Sequence, residues 1–96
     1  QATPEEEYRK VEIAETLLVE MQKMLSERNF DIMCRRYGIG NYNFPQTLES
    51  IGRVYGVTKE RIRQVQRRAE KRLKTNQKLK DLLRNALYWV FLFFEF

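Results

Sequence analysis

Two short amphipathic runs, residues 47–55 and 58–74, meet at Gly56-Val57, and that spacing restricts the fold more than any other feature of the chain. Leu48, Ile51 and Val54 recur at helical spacing in the first run, as do Ile62, Val65, Ala69 and Leu73 in the second. Thr47 and Thr58 stand where an N-cap is needed. Between the runs, Gly56 can take the positive φ of a sharp turn with little strain, and Val57 follows as an apolar plug. Gly52 is less expected: inside a helix it costs about 1 kcal/mol relative to alanine, which close approach of the second helix would explain. A small residue, a turn glycine and the anchors Ile62 and Val65 at these offsets predict a helix-turn-helix over 47–74, with a purely structural helical hairpin as the alternative.

The rest of the chain keeps the helical period. Thr3-Pro4-Glu5-Glu6 predicts a helix start, with Thr3 as N-cap, Pro4 in first position and Glu6 closing a capping box. Tyr8, Val11, Ala14, Leu18, Met21 and Leu25 then define one buried stripe. Ser26 caps a second helix with Phe30, Met33, Cys34 and Tyr37 on one face, ended by Gly38. Residues 38–46 read as loop. Near the C-terminus, Leu79, Leu82, Leu83, Ala86, Leu87, Val90, Phe91 and Phe94 form a continuous stripe, with Tyr88, Trp89, Leu92 and Phe93 off it. Strand-like alternation is lacking. The expectation is a small all-α domain of about five helices over 1–85, with 86–96 an apolar aromatic tail continuing the last helix.

Charge is segregated along the chain. The formal net charge is +5, yet residues 1–27 hold 7 acids and 3 bases, a net of −4. Residues 59–74 hold 8 bases and 2 acids, a net of +6, more than the whole molecule carries. A solvated helix face mixes the two signs, so this segment points to a polyanionic partner. Its exposed positions divide by reach. Lys59, Glu60, Arg63 and Gln64, at the start of the second helix, can address base edges in a major groove. Arg61, Arg67, Arg68, Lys71 and Lys74 suit phosphates, as do Arg53 and the amino end of the first helix at Thr47 and Leu48, where the dipole favours an anion.

Other chemistries find little support. Cys34 is the only cysteine and lies on an apolar stripe, so no internal disulfide can form and the thiol reads as a small buried hydrophobe. There is no histidine, no metal-ligand spacing and no phosphate-cradling glycine loop, so neither a cofactor nor an enzymatic role is expected. A membrane span needs about 20 apolar residues, and the tail falls well short of that. The chain begins at Gln1 without a basic-then-apolar leader and is expected to be a fragment of a longer protein.

Thr47-Leu48-Glu49-Ser50-Ile51-Gly52 and Val57-Thr58-Lys59-Glu60-Arg61-Ile62-Arg63-Gln64-Val65 closely resemble region 4 of the sigma-70 family of bacterial transcription factors. Upstream, Leu25-Ser26-Glu27-Arg28 and Arg36-Tyr37-Gly38-Ile39-Gly40 are similar to the first helical pair of that region, so the resemblance covers roughly residues 8 to 85. It implies a cytoplasmic bacterial domain, without activity of its own, that recognises the −35 element of double-stranded promoter DNA. The same resemblance implies docking on the β-subunit flap of RNA polymerase core through the first helical pair. Lys59 stands where an arginine is usual, Gln66 where a glutamate is usual, and the aromatic tail replaces a short acidic helix. The tail has two open destinations. It can fold over the domain's own core, or Tyr88, Trp89, Leu92 and Phe93 can enter a partner, whether polymerase, a bound regulator or a second copy. A rival reading is a stand-alone helix-turn-helix regulator that dimerises through this tail.

Overall fold

The computed structural model describes residues 4–94, without the side chains of Glu6, Glu7 and Phe93. Within them lie five helices and no strand: α1 Pro4–Met24, α2 Glu27–Tyr37, α3 Leu48–Tyr55, α4 Lys59–Leu73 and α5 Gln77–Phe94. The expected Thr3 cap and Glu6 capping box fall outside the described residues, as does the side chain of Phe93. Three other helix starts follow the sequence signals. The hydroxyls of Ser26, Thr47 and Thr58 accept from the Asn29, Ser50 and Arg61 N–H groups at 3.2, 3.0 and 3.1 Å, each satisfying one amide that the helix cannot. Gly38 and Gly56 end α2 and α3 in the left-handed conformation.

Two apolar clusters divide the interior. The larger joins Leu17 and Met21 of α1, Met33, Cys34 and Tyr37 of α2, Ala69 and Leu73 of α4, and Leu79, Leu83, Ala86 and Val90 of α5. The smaller joins Ile32, Ile51, Ile62 and Val65, flanked by Leu48, Tyr55 and Val57. At about 1.5–3 kcal/mol for each fully buried aliphatic side chain, these clusters supply most of the drive to fold. Both α2 and α4 belong to both clusters. Ile32 faces the helix-turn-helix while its neighbour Met33 faces the larger core, and α4 changes cluster between Val65 and Ala69. The orientation of α3–α4 is therefore set by the rest of the domain.

Several inward assignments shift in phase. Tyr8 and Val11 are 72% and 55% exposed, because the packed face of α1 is centred on Leu17 and Met21, an i,i+4 pair. Ala14, Leu18 and Leu25 border that face. On α3, Val54 is 54% exposed and Tyr55, four residues from Ile51, turns inward in its place. Cys34 is buried as expected, and burial together with the nearby Asp31 charge pushes its thiol up to about 12, so it stays protonated.

Within the described part of the tail, Ala86 and Val90 continue the buried face of Leu79 and Leu83 against α1, α2 and α4. Because α1 also runs along α5, a second flank is covered, and Trp89, expected off the stripe, is half-buried there with the Lys10 ammonium 5.1 Å from its ring. Leu92 is half-buried too. Phe91, expected inside, is exposed, and so is Tyr88. Among the described residues, no helix is long and apolar enough to cross a membrane.

Candidate nucleic-acid interface

The turn between α3 and α4 is tight because nothing larger than a hydrogen fits at Gly52. A Cβ there would lie 2.6 Å from the Val57 carbonyl oxygen, within the backbone that enters α4. Gly56 supplies the turn itself at φ +67, where a side chain on an L-residue is strained. These two glycines, with Ile51 packed on Ile62 and Val65, fix the start of α4 beside the start of α3.

The expected base-reading residues share that end of α4. Lys59, Glu60 and Gln64 are exposed, while Arg63 is half-buried and donates to Glu60 at 2.8 Å. The pair holds the guanidinium against the helix and still leaves donors for another acceptor. Arg61, two residues from Arg63, points about 200° around the helix, so the two cannot address the same bases. Arg61, Arg67, Arg68, Lys71 and Lys74 are all exposed. Arg53 is exposed as well and pairs with Glu49 at 2.6 Å.

A shallow depression brings Lys59 and Arg63 together with Thr47, Leu48 and Glu49 at the amino end of α3, and adds Arg36 from α2. Sequence reasoning did not single out Arg36. It is half-buried, donating Nη1 to the Gln46 carbonyl at 2.9 Å and Nε to Gln66 Oε1 at 3.2 Å. Burial lowers its pKa and the Arg63 charge lowers it further, against the opposing influence of Glu70. Three basic side chains, the Glu49 carboxylate, the Phe94 ring and the amino end of α3 thus line one open concavity, whose excess of positive charge suits a phosphate.

Gln66 explains how α4 is held. Its amide nitrogen donates to Glu70 at 3.0 Å while its oxygen accepts from Arg36, and the Tyr37 hydroxyl donates to the same Glu70 oxygen at 2.8 Å. This seat calls for a donor and an acceptor on one side chain, and an amide provides both. A second hub lies beneath α3. Tyr42, Tyr55 and Arg35 all donate to the Asp31 carboxylate. Among the described residues, no cluster of three or more potential metal ligands occurs.

Fold and surface together define a helix-turn-helix domain whose second helix is basic and whose first begins beside a cationic concavity. Residues 23–75 match the family described as Sigma-70, region 4, and the chain belongs to that family. It is 33% identical over 85 residues to RNA polymerase sigma factor SigA of Listeria monocytogenes, covering 85% of this chain and 22% of that protein. It is 38% identical over 85 residues to the SigA proteins of Microcystis aeruginosa and Synechocystis, covering 85% of this chain and 20% of each. The chain spans about a fifth of the length of these relatives.

Proposed function

We propose that this domain recognises the −35 element of promoter DNA in transcription initiation, as region 4 of an RNA polymerase sigma factor docked on the β flap. The observation that carries the reading is the depression bounded by Arg36, Lys59, Arg63 and the start of α3. A phosphate seated there would fix the register of α4, and Lys59, Glu60, Arg63 and Gln64 would then face base edges. Thr47, Leu48, Arg53, Arg61, Arg67, Arg68, Lys71 and Lys74 would contact the backbone on either side. Membership of the sigma-70 region 4 family supports both partners, the DNA and the polymerase.

The reading predicts weak binding by the isolated domain that falls steeply with salt, since each neutralised phosphate contributes about −0.9 to the slope of log K against log salt. Two measurements test it. Anisotropy titrations at fixed salt should favour a −35 duplex over a scrambled one, and immobilised β flap should retain the domain. Equal affinity for both duplexes would refute base recognition, and failure of retention would refute the docking. Among the described tail side chains, Tyr88 and Phe91 are the most exposed and so the best placed for self-association, whereas Trp89 packs against the domain's own core. Sedimentation of the domain as a monomer would exclude self-association.

A further inference from the structure

An aromatic ring from this chain forms one wall of the concavity assigned above to a DNA phosphate. Ala86, Val90 and Phe94 are spaced i, i+4, i+8 on α5 and so lie on one stripe. The first two are buried in the larger core. The third continues past its edge, and its ring lines the depression with Arg36, Thr47, Leu48, Lys59 and Arg63. The Arg36 guanidinium carbon lies 5.7 Å from the Phe94 ring centroid, within range of a cation–π attraction.

From this contact we propose that the end of α5 is an autoinhibitory plug, with Phe94 covering Arg36 at the wall of the phosphate seat until DNA displaces it. The proposal rests on the DNA-binding reading above. Ring and phosphate compete for the same cation. The ring offers its negative face, and the phosphate offers charge-assisted hydrogen bonds, which are stronger but require the seat to be vacated. Because the ring is attached to the domain, its effective concentration at Arg36 is high and constant, so even a weak contact lowers the apparent affinity for every duplex. Displacement requires the Phe94 ring to leave Arg36 while Val90 keeps α5 anchored in the core.

The test compares the whole chain with Phe94→Ala and Phe94→Leu, which remove the ring, and Phe94→Trp, which keeps one. Anisotropy titrations would use a −35 duplex and a scrambled duplex at one salt concentration, with thermal melting to verify folding. Phe94 is 36% exposed, and thermal melting separates any change in stability from the change in binding. The alanine and leucine variants should bind both duplexes about three- to fivefold more tightly than the parent, as loss of an exposed cation–π contact implies, and the tryptophan variant should match the parent. Unchanged affinity in the ring-less variants, with the parent still preferring the −35 duplex, would overturn the plug alone. Weaker binding would also overturn it, making Phe94 a DNA contact instead. If neither parent nor variants bind either duplex, the DNA-binding reading fails and the plug fails with it.

Discussion

Arg36 on α2 donates to Gln66 on α4 across 30 positions of sequence, and Gln66 passes the connection on to Glu70. Removing the amide leaves the Arg36 Nε donor without its acceptor in a half-buried seat and takes one of two donors from the Glu70 oxygen, which keeps Tyr37. Gln66→Ala should therefore destabilise the domain by about 1–2 kcal/mol in urea titrations. Gln66→Glu keeps the acceptor for Arg36 but sets a second carboxylate against Glu70, so it too should lose stability at about pH 7 and recover part of it in acid. If the alanine variant melts with the parent, the bridge does not hold α4.

Gly52→Ala opposes two effects of known sign. Alanine favours the helix by about 1 kcal/mol, whereas its Cβ would meet the Val57 carbonyl oxygen at 2.6 Å and the Thr58 carbonyl carbon at 3.4 Å. Both obstacles are backbone, so no side chain can swing aside, and the clash wins. We expect a net loss of about 1–3 kcal/mol by chemical denaturation, with DNA binding weakened because the α3–α4 angle opens. At Gly56, by contrast, an added Cβ meets nothing within 4 Å, and the loss should come only from left-handed strain, about 1 kcal/mol. A stabilised Gly52→Ala variant would mean the turn is not close-packed.

The contrast between these glycines also explains what was legible in the sequence. Caps and turns are local: Thr47, Thr58, Gly38 and Gly56 each act within four residues, and each does what its position suggested. The inward positions Ile62, Val65, Ala69 and Leu73 were equally clear, because charged residues occupy most of the rest of that helix. Helices with apolar residues on more than one flank gave no such guide. On α1, both Val11 and Leu17 belong to plausible stripes, and only packing against α5 selects Leu17; the same ambiguity exchanged Val54 for Tyr55 and Phe91 for Trp89. Arg36 was invisible for a different reason. Its partners Gln46 and Gln66, and the ring of Phe94, come together only through tertiary folding.

Asp31 makes stability depend on acid. Partial burial pushes its carboxyl up, but hydrogen bonds from Tyr42, Tyr55 and Arg35 outweigh that, and the folded pKa lies below the ordinary 3.8. A carboxylate depressed in the folded state contributes stability above its unfolded value and loses it as pH falls through the folded one. Asp31→Asn should therefore be less stable than the parent at about pH 7, with the difference shrinking once pH drops below 3.8. Urea midpoints across that range check it, and a pH-independent difference would remove the carboxylate's charge from the explanation.

Lys59 carries one charge where a guanidinium would offer a planar fork. Lys59→Arg should raise discrimination at a single base pair, by up to about 1–3 kcal/mol if the fork reaches guanine O6 and N7. Selection from a randomised −35 library would reveal the position, and an unchanged preference would mean that Lys59 contacts phosphate.

Arg63 and Arg61 separate base reading from backbone binding within one helix turn. Arg63 sits in the concavity and is oriented by Glu60, whereas Arg61 projects from a different side of α4. Arg63→Ala should cost about 1–3 kcal/mol on the preferred duplex and relax selectivity at one position. Arg61→Ala should weaken all duplexes alike and reduce the salt slope by about 1. Parallel anisotropy titrations on matched and single-substituted duplexes, each at several salt concentrations, distinguish the two patterns. Uniform loss from both variants would leave Arg63 a phosphate contact and move base recognition toward Gln64, one position further along α4.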